Sequence, residues 1–137
     1  MIKKIVPSGL ILIILGIIGV FYYTFQPHKN VSALKSDFKL SAKELFQQFD
    51  QNEISSNRKY IDKVIEVNGK VLDAKKTDTS ANIQLATENE KGTINCSFIL
   101  KKEEAFQLPL INSNIIIKGR CSGFLTDVNL VDCIIKQ

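Results

Sequence analysis

Apolar residues follow two different patterns along this chain. Residues 5–25 form an apolar run without one acidic or basic side chain, whereas later segments alternate apolar and polar positions. A helix of that length rises about 1.5 Å per residue and reaches roughly 30 Å, the thickness of a bilayer's hydrocarbon core. Within hydrocarbon, a single pass satisfies its backbone hydrogen bonds only as a helix. The first pattern therefore predicts a transmembrane helix over residues 5–25.

The flanks of this run predict its orientation. Lys3 and Lys4 precede it and aromatic residues close it, as expected for a cytoplasmic start and an interfacial aromatic belt. A cleaved secretory signal is the alternative, but the run is too long and lacks a small-x-small cleavage site. The predicted division is a cytoplasmic N-terminus over residues 1–4, the transmembrane helix over 5–25, a linker over 26–39 and a domain over 40–137 outside the cytoplasm.

The domain begins with a strong helix signal. Ser41 is a candidate N-cap and Glu44, three residues later, is its capping-box partner. Leu45, Phe46 and Phe49 follow at helical spacing on one side. They predict an amphipathic helix of about three turns that packs its apolar side onto the domain core.

From Lys63 the period changes to two, which indicates strands. Gly69 interrupts the first strand and predicts a bend there. The predicted strands run through 63–71, 83–85, 94–98, 115–119 and 128–135, with a short helix over 101–106 between the third and fourth. A mainly β domain of five short strands with this helix is typical of the OB-fold, a partly open five-stranded barrel.

The net charge and the spacing of potential ligands limit which functions the domain can have. Without Lys3 and Lys4 the chain carries a net charge of only +2, a weak basis for binding a phosphate backbone. The single histidine, His28, falls in the predicted linker, so the domain offers no histidine base for a nucleophile and no ligand spacing typical of zinc. We therefore expect no catalytic residue, no metal, no cofactor and no enzyme activity.

Three cysteines lie beyond the apolar run: Cys96, Cys121 and Cys133. Outside the cytoplasm a disulfide can persist. The sequence indicates Cys121 with Cys133 as the first candidate pair and Cys96 with Cys133 as the second. The alternative for each is a small buried apolar side chain.

Two stretches of the domain resemble the bacterial tRNA anticodon-like (tRNA_anti-like) family of OB-folds. The motifs are Asn52-Glu53, Asn57, Tyr60, Lys63-Val64-Ile65-Glu66-Val67 and Gly69 at the entry, and Gly119-Arg120-Cys121-Ser122-Gly123, Asp127-Val128, Leu130 and Cys133 at the exit. The resemblance covers about residues 40–135. It implies a fold similar to anticodon-binding domains without a defined activity. The sequence departs from the family at Asn112-Ser113-Asn114, where a turn glycine is usual.

These features favour a membrane-tethered module of a bacterial inner membrane, its domain facing the periplasm in a Gram-negative host. Its expected partners are the membrane and an envelope protein, peptide or glycan. The alternative is a single-stranded nucleic acid such as tRNA, which the low charge and scarce strand aromatics disfavour. OB-folds bind ligands on their second and third strands and adjoining loops. That placement makes Phe98, Phe124, Lys75 and Lys76 the candidate ligand-binding residues.

A polar group follows the predicted helix: Asn52, Glu53, Asn57 and Tyr60. It could form a polar site. The preferred interpretation is structural, in which the group caps the helix end and ties it to the barrel, because buried polar groups need partners.

Overall fold

The computed structural model describes residues 13–21, 31–101 and 105–136. In chain order the elements are helix α1 over residues 13–21, a 3-10 turn over Val31–Ala33, strand β1 over Phe38–Ser41, helix α2 over Ala42–Gln51, helix α3 over Glu53–Tyr60, β2 over Val64–Lys76, β3 over Ser80–Ala86, β4 over Ile94–Ile99, β5 over Asn114–Phe124 and β6 over Val128–Lys136.

Strands β2 to β6 form a closed barrel in the order β2-β3-β4-β6-β5, with β5 pairing back to β2. Closure is achieved by the long strand β2, which pairs with β5 over Val64–Lys70 and with β3 over Lys70–Lys76. Strands β4 and β6 are parallel, while the other barrel pairs are antiparallel. The five predicted strands are confirmed, and the barrel is closed instead of partly open.

Alternation of buried and partly exposed residues along β3 and β4 contributes side chains to the barrel interior. On β3, for example, Ala81, Ile83 and Leu85 are buried, while the residues between them are partly exposed. Helix α2 closes one end of the barrel with Leu45, Phe46 and Phe49, each no more than 1% exposed. The predicted amphipathic helix is therefore present and packs as expected.

The capping box of α2 is formed as the sequence predicts. Ser41 Oγ accepts a hydrogen bond from the Glu44 amide at 3.2 Å, and the Ser41 amide donates to Glu44 Oε2 at 2.9 Å. This second bond lowers the pKa of the Glu44 carboxyl. Because both bonds satisfy amides that the first turn leaves unpaired, they fix where the helix begins.

Gly69 provides the space in which helix α2 packs on β2. A Cβ atom at this position would lie 2.9 Å from Ala42 Cβ and 3.1 Å from Leu85 Cβ, so helix α2 approaches β2 closely here. The irregularity in β2 comes later, between Val71 and Asp73, where the register with β3 shifts. The register shift of β2 thus lies at Leu72, three residues beyond Gly69.

The segment assigned to the end of the linker lies against the barrel. Val31 is buried at 2% exposure, and β1 pairs in parallel with Ile65–Asn68 of β2. The alternation of Phe38 and Leu40 with polar neighbours explains this strand, since both partly buried side chains pack on the core. Residues 26–30, including His28, are outside the described part of the chain.

Two further elements differ from expectation. Helix α3 occupies the polar stretch after α2, with Ser56 and Tyr60 buried. The helix predicted over 101–106 does not form at Lys101 or at residues 105–106, and 102–104 are outside the described residues. This connection instead follows the barrel, because the Leu100 amide donates to Thr79 O at 2.9 Å and Phe106 packs on Phe98.

The apolar run is described only at residues 13–21, which are helical and expose large apolar side chains such as Ile13, Ile17 and Val20. The rest of the predicted transmembrane helix and the N-terminal residues 1–4 are outside the described ranges. Among the residues described, no helix has the length and apolarity needed to cross a membrane.

Candidate functional site

Polar side chains form two rows on the outer surface of the barrel, which we call the polar ladder. Residues directly opposite each other on neighbouring strands share a face of the sheet. The pairings of β2 with β3, β3 with β4, and β4 with β6 therefore place these side chains side by side. The first row contains Asp73, Gln84, Asn95 and Asn129, and the second contains Lys75, Asn82 and Ser97.

Hydrogen bonds order the ladder. Asn95 Nδ2 donates to Asn129 Oδ1 at 3.1 Å, and Asn129 Nδ2 donates to the Asp127 carbonyl at 3.1 Å. In the second row, Asn82 Nδ2 donates to Ser97 Oγ at 3.5 Å. The Asn95 Oδ1 atom is buried and accepts no hydrogen bond from the described residues. A buried amide oxygen without a donor is an unsatisfied acceptor that an ordered water can satisfy.

The ladder is electrically balanced. Its only ionised pair, Lys75 and Asp73, has Nζ and Oδ2 at 2.9 Å. The hydrogen bond from Lys75 lowers the pKa of the Asp73 carboxyl, so this group is ionised at neutral pH. The remaining members are carboxamides and a hydroxyl, which both donate and accept. Such a surface is suited to a neutral polar chain, with one acid and one base at its β2 edge.

The four predicted ligand-binding residues take different positions. Lys75 lies in the ladder, while Lys76 donates from Nζ to the Phe106 carbonyl at 2.9 Å. Phe98 is only 2% exposed inside the barrel, against Phe106, so its ring is not a stacking platform. Phe124 is partly buried beneath α2 and helps to close the barrel end.

The polar group at Asn52 to Tyr60 is arranged around the two helices. Asn52 caps α3 through Oδ1, which accepts from the Ser55 amide at 3.0 Å. Tyr60 is buried and donates its hydroxyl to Gln48 Oε1 at 2.5 Å, joining α3 to α2. Glu53 is exposed in the first turn of α3, and Asn57 is partly buried. The contacts of Asn52 and Tyr60 link the two helices.

The cysteines are all free and buried. Cys121 and Cys133 lie on adjacent strands, but Cys121 pairs with Leu130, three residues before Cys133. The register of the two strands also shifts between Lys118 and Arg120, and Cys133 Sγ lies beside Gly119. The structure does not show the predicted Cys121–Cys133 bond. Cys133 instead contacts Cys96, and burial raises the pKa of the Cys133 thiol.

A buried carboxylate ties residues 31–37, which we call the strap, to the barrel wall. Glu66 Oε2 accepts from Lys136 Nζ at 3.0 Å and from Ser36 Oγ at 3.1 Å. The bond from Lys136 lowers the pKa of Glu66, against the opposing effect of burial. Lys118 Nζ donates to the carbonyl of Leu34. Glu66 also borders an open groove of about 260 Å³, but its bonds to Lys136 and Ser36 give it a structural role.

No cluster of His, Cys, Asp and Glu suited to a metal ion occurs among residues 13–21, 31–101 and 105–136.

A closed five-stranded barrel with this strand order and with parallel β4 and β6 defines an OB-fold domain. The chain belongs to the tRNA_anti-like family, whose sequence profile matches residues 1–135. Among curated proteins no relative matches.

Two solved structures are similar in fold. A proposed nucleic acid-binding lipoprotein from Klebsiella pneumoniae subsp. pneumoniae MGH 78578 is 16% identical, with a TM-score of 0.58 over 82% of this chain and 100% of its own. A proposed aspartyl-tRNA synthetase from Leishmania major Friedlin is 14% identical, with a TM-score of 0.51 over 82% of this chain and 22% of its own.

The comparisons bear on the expected ligand. Both the family and the Klebsiella neighbour are described in terms of nucleic acid, the ligand class that the low charge disfavours. The ladder carboxamides were missed by sequence reasoning because Gln84, Asn95 and Asn129 each occupy the polar position of an alternating strand. The sequence does show that carboxamides recur at polar positions of several strands. Only the register of those strands shows that these side chains lie together on one surface.

Proposed function

We propose that this protein is an OB-fold binding module, tethered to a membrane by residues 5–25, whose ligand lies across the polar ladder. The observation that carries this proposal is the alignment of the partly exposed carboxamides of Gln84, Asn95 and Asn129 on one face of β3, β4 and β6. These strands include the surface on which OB-folds bind their ligands.

The ligand class that fits this surface is a neutral polar chain, either a peptide backbone or a glycan. Carboxamides pair with amides and hydroxyls in both directions, whereas a polyanion requires unpaired cations. Lys75, the ladder's only cation, is already bound to Asp73. The ladder therefore offers hydrogen bonds without net charge.

The proposed tether is supported by the apolar run and by the exposed apolar surface of α1. Ile13, Ile17 and Val20 are each more than 60% exposed, and exposed side chains of this type are stable in lipid. With Lys3 and Lys4 on the cytoplasmic side, the barrel would lie outside the cytoplasm, in the bacterial cell envelope.

A second candidate is a single-stranded nucleic acid, favoured by the family and by the description of the Klebsiella neighbour. Asn and Gln side chains can hydrogen-bond the edges of bases. Such binding would rely on base contacts through Gln84 and Asn95 instead of on aromatic stacking, because Phe98, the aromatic of the β3–β4 sheet, is buried.

The test is titration of the full chain in lipid nanodiscs with fluorescent probes: a chitin hexasaccharide, a neutral serine-alanine peptide and a 12-nucleotide oligothymidylate. Each is measured for the wild type, Gln84→Leu and Asn95→Leu, with the exposed Gln107→Leu as matched control. Thermal unfolding of every variant establishes that it is folded.

We expect one neutral probe to bind and to lose about tenfold in affinity in both ladder variants, equivalent to about 1.4 kcal/mol. The Gln107→Leu control should bind as the wild type does. Oligonucleotide binding that depends on the ladder and weakens steeply with salt would select the second candidate. Binding that the ladder variants leave unchanged would overturn both.

A further inference from the structure

Large aliphatic side chains are exposed on the connection between β4 and β5, in residues 108–111, which we call the apolar loop. Leu110 is 80% exposed, Ile111 is 51% exposed and Leu108 is 38% exposed. Leu72, at the neighbouring irregularity of β2, is also 51% exposed. Isolated exposed leucines are ordinary, but a contiguous group of this kind marks an interaction surface.

Backbone hydrogen bonds hold the apolar loop against the barrel. The Asn112 amide donates to Val71 O at 2.8 Å, and the Val71 amide donates to Ser113 O at 2.9 Å. Ser113 Oγ also donates to Leu110 O at 2.6 Å. Asn112 has φ of 69°, a left-handed conformation that asparagine tolerates. The leucines are thus presented outward by a defined turn.

The strap runs toward the same end of the barrel. Asp37 forms hydrogen bonds with the backbone of Val64, and Val64 pairs with Arg120 of β5. Three residues earlier in the chain, the Leu34 carbonyl accepts a hydrogen bond from Lys118, which is two residues nearer the start of β5. Followed backwards from Asp37 to Leu34, the chain therefore moves along β5 toward Asn114, and Ser32 stays beside Lys118, which also donates to the Ser32 carbonyl. That is the end from which the apolar loop extends.

We propose that the apolar loop is a second membrane contact, which rests in the lipid interface of the bilayer that residues 5–25 cross. This inference rests on the proposed tether. A bilayer is the occupant that the structure favours, because the strap directs the chain toward the apolar loop and the apolar run ends only a few residues before the strap. Lys76, held beside this connection by its bond to Phe106 O, adds a cation suited to anionic headgroups.

The protein provides a simple optical test because its sequence contains no tryptophan. Single-tryptophan variants of the full chain, Leu110→Trp and Ile111→Trp, are reconstituted in vesicles of phosphatidylcholine and phosphatidylglycerol, with or without brominated acyl chains. The matched control is Leu125→Trp, which replaces another exposed leucine, 87% exposed, just beyond the opposite end of β5.

We expect fluorescence of the Leu110→Trp and Ile111→Trp variants to shift to shorter wavelength, to fall by at least about half with brominated lipid, and to resist quenching by iodide. The Leu125→Trp control should remain accessible to iodide and insensitive to bromine. Flotation of the chain with vesicles is measured separately, and a chain that fails to float would overturn the tether itself.

A chain that floats, with neither loop variant quenched by brominated lipid, would overturn the loop contact alone. Protection from iodide without bromine quenching would show that a protein surface or a second copy of the chain covers the loop, and this too would overturn the lipid contact. Circular dichroism of each variant against the wild type shows whether the barrel is intact. Agreement between the two loop variants guards against a local effect of one substitution.

Discussion

The rings of Phe49 and Phe124 stack with their centroids 5.5 Å apart and their planes 24° apart. Phe49 belongs to helix α2, and Phe124 is the last residue of β5. Phe46 adds an edge contact to Phe124 at 5.9 Å. This stack packs helix α2, which closes the barrel, against the end of β5. The turn that follows leads into β6, which carries Asn129 of the polar ladder.

Replacement of Phe124 by alanine should destabilise the domain by about 2 kcal/mol. The loss combines the buried part of the ring with its aromatic pairing, and it is below the range for a fully buried phenylalanine because Phe124 is partly exposed. Urea unfolding followed by circular dichroism measures the change. Leu125→Ala, at the adjacent and largely exposed position, should change the free energy of unfolding by no more than about 0.5 kcal/mol. Equal losses in both variants would contradict the stacking role.

Gly69→Ala should destabilise the domain by about 1–3 kcal/mol, because the new Cβ atom collides with Ala42 Cβ at 2.9 Å. The Ala42→Gly substitution removes the colliding atom, so the double variant should recover part of the loss. A double-mutant cycle of unfolding free energies measures this coupling. Lys70→Ala, at the next and exposed position, should have little effect. Additive losses in the cycle would mean that the collision is not the cause.

Glu66→Gln should lower stability by about 1–2 kcal/mol near neutral pH, since it weakens charge-assisted bonds to a largely buried group. The bond from Lys136 lowers the pKa of Glu66 below its ordinary value of 4.5, so the carboxylate stabilises the fold above that pH. The difference between wild type and variant should therefore shrink as the pH falls below 4.5 through the lowered pKa.

The matched control for this experiment is Glu90→Gln, which changes an exposed carboxylate. Unfolding curves collected between pH 3 and pH 7 should show little difference for it at any pH. If the Glu66→Gln deficit instead persisted unchanged to the lowest pH, the ionised form of Glu66 would not be the stabilising one.

The cysteine thiols should be protected in the folded protein. Cys96, Cys121 and Cys133 are buried, and burial raises the pKa of the last two, so their reactive thiolate forms are scarce. Under native conditions we expect slow alkylation by iodoacetamide, and in guanidinium rapid alkylation of all three. Mass spectrometry of the intact chain counts the adducts. A Cys121–Cys133 peptide recovered without reduction would contradict the register of β5 and β6.

Local signals predicted much of this fold correctly. The Ser41–Glu44 capping box needs only a four-residue stretch, and the alternation of the strands reports which side chains face the interior. Helix α3 was missed because Glu53–Tyr60 has no apolar stripe and is held by Tyr60 and Ser56 contacts to Gln48. Strand β1 was missed because four residues with two partly buried side chains give too short a pattern.

The candidate site was harder to predict because it depends on register. Asn95 and Asn129 are 34 residues apart in sequence and meet only when β4 and β6 pair in parallel. Phe98 was predicted to bind a ligand because it is aromatic. Its position in the alternation of β4 instead places its side chain inside the barrel. Lys75 was identified as a candidate by its charge, and its position opposite Asn82 brings it into the ladder.

The attachment of the strap sets how far the domain can reach. Only residues 26–30 separate the apolar run from Val31, whose side chain is buried against the barrel. Five residues span at most roughly 18 Å when fully extended. With residues 5–25 in a membrane as proposed, the polar ladder would stay close to the bilayer surface. The protein would then recognise molecules that are themselves held in that layer, such as a growing envelope polymer or the juxtamembrane part of another protein.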